Sequence, residues 1–134
     1  MFIRRAKSEE IQEVADTLED YDLIGDLQAE GRLFSIVHKK KLAGILQITP
    51  QDGFNTIDVA LLKKHRGKWL SRHLLKQVYK QAFKNTDVVV GKAVNPKAGN
   101  IMVKLGFQQY AIQDGFKVYV LYKTKLKKEY KIDG

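Results

Sequence analysis

Between Asp58 and Leu75 the chain reads Asp-Val-Ala-Leu-Leu-Lys-Lys-His-Arg-Gly-Lys-Trp-Leu-Ser-Arg-His-Leu-Leu. Ile57, Val59 and Leu61 alternate with Asp58, Ala60 and Leu62, which suits a strand covered on both faces. A basic loop with one glycine, Gly67, comes next, and Leu70, Leu74, Leu75, Val78 and Ala82 then recur at a helical period. Such a loop aims unpaired backbone N–H groups at one spot, where the helix dipole is also positive. A phosphate or pyrophosphate is the natural ligand there, and Arg66 and Lys68 add full charges. The plainer alternative is a surface turn that merely leads into a helix.

Other residues could join this chemistry. Asp58, on the strand that enters the loop, can serve as a general base, or can be a strand-surface carboxylate paired with a lysine. Asn95 precedes Pro96, where it suits a helix cap. Tyr110 can donate a proton, or can be a half-buried strand tyrosine. His65 and His73 flank the loop and read best as solvated. There is no cysteine among the 134 residues, which removes disulfides, thiolate metal sites and a cysteine nucleophile together. No metal-binding pattern is present.

The elements that must position these groups are legible in outline. Phe2 to Lys7 is a strand, and Ser8 is the expected cap of a helix carrying Ile11, Val14, Ala15 and Leu18 on one face. Leu23, Ile24 and Leu27 suggest a short second helix. Leu33–His38 and Leu42–Thr49 flank an exposed tip of three lysines, and Phe54–Leu62 is the third strand of this group. The main helix begins near residue 69. Val88-Val89-Val90 reads as a buried parallel strand, Ala98–Leu105 as a short helix ended by Gly106, and Phe107–Gln113 and Phe116–Lys123 as a hairpin about Asp114-Gly115. The strand–helix–strand unit through 54–94 requires a crossover and therefore a parallel pair. One domain over residues 1–124 results, with a lysine-rich tail, expected to be frayed, over 125–134.

Charge is divided along the chain. Residues 1–30 carry nine acids against three bases, a balance of −6, which leaves +15 on the rest of a chain whose total is +9. Arg72, Lys76, Lys80 and Lys84 repeat every four residues, with no acid between Asp58 and Asp87. Like charges at that spacing repel, so the row is either a solvated helix face or a surface for a polyanion such as nucleic acid or an acidic protein. No segment is long and apolar enough to span a membrane, and no signal peptide is evident, so a cytoplasmic location is expected.

The stretch from Arg66 resembles the acetyl-coenzyme A loop of the GNAT N-acetyltransferases, Arg/Gln-x-x-Gly-x-Gly/Ala. Trp69 stands at the first glycine of that pattern and Ser71 at the last small position. The Arg-Gly-Lys-Trp form is similar to that of phage-encoded GNAT-like proteins. Asn95-Pro96-Lys97-Ala98 followed by Leu105-Gly106-Phe107 resembles the family's second motif, Asn-x-x-Ala…Leu-Gly-Phe, at the family's spacing. The resemblance covers essentially the whole chain and is most specific over residues 57–107.

The resemblance implies an α/β (α+β) GNAT fold, a mixed sheet of about seven strands with helices on both faces. It implies acetyl transfer from acetyl-coenzyme A to an amine on a small molecule, a protein or an aminoacyl-tRNA. The cofactor would meet Leu61, Leu62, Arg66, Gly67, Lys68, Trp69, Leu70, Ser71 and Asn95, in a cleft where two parallel strands splay. The N–H of Leu61 would polarise the thioester carbonyl, and Asp58 would be the base. The family's proton-donating tyrosine falls at Met102, which leaves Tyr110 as the nearest replacement. The acceptor pocket would come from residues 20–32 and the Asp114-Gly115 hairpin, and the family's habit of pairing makes a homodimer an expectation. Trp69 and Met102 point the other way, towards a catalytically weak binding module for nucleic acid or an acidic protein.

Overall fold

The computed structural model describes residues 1–24, 31–63 and 71–131, and the side chains of all of these except Asp22 and Leu23. In chain order the elements are β1 (Phe2–Arg5), α1 (Ser8–Asp16), β2 (Tyr21–Ile24), β3 (Arg32–His38), β4 (Lys41–Pro50), β5 (Asn55–Leu62), α2 (Arg72–Ala82), β6 (Val88–Ala93), α3 (Pro96–Lys104), β7 (Gln108–Gln113) and β8 (Phe116–Tyr122). The strands form one mixed sheet in the order β1-β3-β4-β5-β2-β6-β8-β7. Among the described residues it holds eight strands, against an expected seven or so, because Leu23 and Ile24, expected in a short helix with Leu27, lie in a strand; Leu27 itself lies outside the described residues.

The alternation along β5 sorts the sheet into two faces. Ile57, Val59 and Leu61 join Leu74, Leu75, Val78, Tyr79 and Met102 in the main core under α2 and α3. Ala60 faces the other way, with Ile45 and Tyr21, against Val14 of α1. Helices therefore cover both faces, as expected. The hairpin tips obey turn chemistry: Asp114 and Gly115 have φ of 51° and 83°, the left-handed pair that a tight two-residue connection requires.

Helix ends differ by one to three residues from the sequence reading, for local reasons. Lys7, not Ser8, is the N-cap of α1, because Glu10 reaches back to accept its backbone N–H at 3.0 Å. Glu10 also accepts from both guanidinium nitrogens of Arg4, at 2.7 and 2.8 Å, and from Ser35 Oγ at 2.9 Å. Arg4 above all holds its carboxyl down, to a pKa of about 2. Helix α2 starts at Arg72, with Ser71 Oγ accepting the Leu74 N–H at 3.3 Å.

The tail is docked rather than frayed through Lys131: Leu126 is buried, and the Tyr130 ring meets Tyr79 edge-on at 6.0 Å. No helix among the described residues is long and apolar enough to cross a membrane.

Candidate active site

Strand β5 is the organising element of the site, and its two edges are treated differently. Along one edge it pairs antiparallel with β4 from Asn55↔Pro50 to Leu61↔Gly44. Along the other it pairs parallel with β6 only at Asn55↔Val89 and Thr56↔Val90. Beyond that point β5 and β6 separate. The gap is the expected splay, and β2 lies in it, antiparallel to β5, with Tyr21↔Leu62, Asp22↔Leu61, Leu23↔Ala60 and Ile24↔Val59 in register. Ile24 also pairs with Ala93 of β6.

The direction of the Leu61 backbone follows from a close approach. A Cβ on Gly44 would run into the carbonyl oxygen of Ala60, so the Ala60 backbone groups point towards β4. Successive residues of a strand turn these groups to opposite edges. Those of Leu61 therefore point into the splay. Leu62 is half-buried and packs with the α1-side cluster.

Asp58 lies at the mouth of the splay on the face away from α2 and α3. A cavity of about 380 Å³ opens there, lined by Thr56 and Asp58 of β5, Val90 and Lys92 of β6, and Asp114 at the hairpin tip. The structure thus brings Asp58 and the Asp114 hairpin together in one cavity, whose lining includes none of the described residues of 20–32. It does not bring Tyr110 to them. Tyr110 is 75% exposed on the edge strand β7, at the irregularity where Gln109 and Ala111 pair with adjacent residues of β8. Strands β6 and β8 stand between it and the splay.

The starts of α2 and α3 are both capped by side chains. Ser71 leaves the Arg72 and His73 N–H groups in the first turn of α2, where a helix has no internal acceptors. The His73 ring bonds Gln77 at 3.1 Å, and Gln77 in turn accepts the Ile3 N–H at 2.9 Å, so this histidine belongs to a surface link between α2 and β1. Asn95 Oδ1 caps α3 by accepting the Ala98 N–H at 2.8 Å. Asn95 lines a separate cavity of about 300 Å³ with Gly99, Lys117 and Tyr119, not the one that holds Asp58. Met102 is buried, and a Cβ on Gly91 of β6 would come within 2.5 Å of its Cε. It is a core residue fitted onto a splay strand. Arg66, Gly67, Lys68, Trp69 and Leu70 lie outside the described residues, as does His65.

Sequence reasoning missed β2. Its signal was faint but present: Tyr21 and Ile24 sit an odd number of residues apart and bury on opposite faces of the sheet, as a period of two requires. The row Arg72, Lys76, Lys80 and Lys84 is exposed throughout.

The model of the acetyltransferase (GNAT) family matches residues 2–107. The chain belongs to that family. It is a GNAT-type acyltransferase. No curated protein matches it.

Among solved structures, a spermidine N-acetyltransferase from Vibrio cholerae superposes with a TM-score of 0.68 at 14% identity, covering 93% of this chain and 96% of that one. The ribosomal-protein-S18-alanine N-acetyltransferase of Escherichia coli gives 0.66 at 12%, covering 98% and 95%. The Campylobacter jejuni N-acetyltransferase PseH, solved with acetyl coenzyme A, gives 0.57 at 14%, covering 85% and 78%. These likenesses are of fold.

Proposed function

We propose that the chain transfers an acetyl group from acetyl-coenzyme A to a cationic primary amine. The observation that carries this reading is the splay itself: β5 and β6 part after Thr56 and Val90, with the Leu61 backbone turned into the gap. Bound acetyl-coenzyme A would supply a thioester, and the coenzyme A thiol is acidic enough that its thiolate can leave without an obligatory proton donor. That property is compatible with a buried methionine at 102.

The residues present fit such a cofactor. The Leu61 N–H faces where a carbonyl oxygen would develop charge, and a preorganised donor in that place lowers the barrier. The Ser71-capped start of α2 offers its first-turn N–H groups to the pyrophosphate, with Arg66, Gly67, Lys68, Trp69 and Leu70 as the remainder of that loop. Asn95, its Oδ1 committed to the cap, keeps its amide N–H groups for the cofactor's arm. Leu62 completes the strand edge. Tyr110 would reach the reaction only by movement of β7, so this reading gives it no proton to move.

Asp58 accepts the amine proton. Asp58, Asp114 and Lys92 all border the acceptor cavity, and two carboxylates against one ammonium there favour a cationic amine over the amine of an aminoacyl-tRNA, which arrives on a polyanion. The basic row on α2 lies across the sheet from this cavity. It would draw the cofactor's phosphates, a nucleic acid or an acidic protein to the cofactor side.

The experiment is thermal unfolding with and without acetyl-coenzyme A, followed by mass spectrometry of a panel of small amines and peptides. Ligand at about 100 times its Kd adds roughly 2.7 kcal/mol, a rise of several degrees for a domain of this size. Asp58→Asn should slow transfer and leave that rise intact. No rise at millimolar ligand would sink the cofactor reading, and an unchanged rate for Asp58→Asn at every pH would sink Asp58 as base.

A further inference from the structure

The splay that the cofactor would enter is held by the chain's own β2, and the two occupants want the same groups. Residues Tyr21 to Ile24 lie in register against Leu62 to Val59, the stretch of β5 whose outer edge faces the gap. Because Ala60 turns its backbone towards β4, Leu61 presents its N–H and C=O to Asp22. The pantetheine arm of coenzyme A carries two amides and could use the same edge only with Asp22 gone from it.

Three further features mark β2 as replaceable. It holds β5 by a ladder of four residues and, among the described residues, meets β6 only at Ile24↔Ala93. Beneath Ile24 the core is incompletely filled, with a cavity of about 20 Å³ lined by Ile24, Ile57, Val59, Leu75 and Met102 among others. By contrast the closed end of the splay, at Asn55 and Thr56, is tied to α2 through Asn55 Nδ2, which donates to Ala82 O at 2.8 Å and Lys84 O at 3.2 Å.

We propose that β2 is a displaceable strand that competes with acetyl-coenzyme A for the open edge of β5, so that the free protein holds its own cofactor cleft shut. The inference rests on the cofactor reading given above. Its consequence is that apparent affinity is the intrinsic affinity multiplied by the fraction of molecules with β2 released.

The test uses a reversible lock. Leu23 and Ala60 face each other in the ladder as a pair of the closely spaced kind, about 4.5 Å between Cα atoms, which a disulfide can bridge. The chain has no cysteine of its own, so Leu23→Cys with Ala60→Cys gives one defined crosslink. Acetyl-coenzyme A binding is measured by calorimetry on the wild type, on this double variant oxidised and then reduced, and on Asp22→Pro, which removes a backbone donor from the ladder.

The expected result is that the oxidised form does not bind, its reduction restores binding, and Asp22→Pro binds about tenfold more tightly, as it must if β2 is released in about a tenth of wild-type molecules or fewer. Equal affinity of the oxidised and reduced forms would overturn the proposal and leave the cofactor reading standing. Binding by none of the four would remove the cofactor reading, and the proposal with it.

Discussion

The two edges of β5 make the same kind of bond to different ends. Its β4 edge is paired from Asn55 to Leu61 without interruption, and β4 is itself fixed to β3 by the Lys39-Lys40 turn and a long ladder. Its other edge is shared in pieces: two residues with β6 and four with β2. One edge is structural and the other is the proposed site. What separates them is the continuity of the partner and the number of groups that hold it.

That contrast can be broken first on the structural edge. Gly44→Val would force a side chain into the Ala60 carbonyl and should cost about 3 kcal/mol by urea unfolding, as overpacking against backbone does. A loss below about 1 kcal/mol would show that this edge yields too. Asn55→Ala should cost about 2 kcal/mol, because it strips the donor from two carbonyls at the end of α2. Both variants should weaken stability far more than Asp22→Asn, which alters only the exchangeable edge.

Smaller effects sharpen the comparison. Ser71→Ala should cost about 1 kcal/mol of stability through the lost cap and should weaken acetyl-coenzyme A binding as well. A stability loss with unchanged binding would separate the start of α2 from the phosphate site.

The smallest effect concerns Glu10, which braces α1, β1 and β3 away from the splay. Arg4 holds its pKa near 2, below the ordinary 4.5. A depressed carboxyl stabilises the fold above its unfolded pKa and loses that contribution as pH falls through the folded one. Stability should therefore decline between about pH 4.5 and pH 2, and Glu10→Gln should flatten that decline without altering cofactor binding at neutral pH.

Much of the fold was legible in the sequence because its signals were local and strong. The alternation along β5, the period of Leu74, Leu75, Val78 and Ala82, and the Asp114-Gly115 turn each declare themselves within a few residues. Asp58 and the Asp114 hairpin were both named as acceptor-side groups, and the fold joins them in one cavity.

β2 was not legible. Four residues are too few to tell a period of two from one of 3.6, and its partner lies more than thirty residues further along the chain. Tyr110 illustrates the same limit from the other side. Its nearness to the family's proton donor is a nearness in sequence, and β6 and β8 separate it from β5 in space.

The most direct test of the account is an amide NMR titration of the wild-type chain with acetyl-coenzyme A. The account expects the Val59, Leu61 and Asp22 amides to shift strongly, the Asp22 amide to exchange faster with solvent as ligand is added, and the Ile45 and Leu46 amides to stay in place. Saturation at millimolar ligand with the β5 and β2 amides unmoved would contradict it.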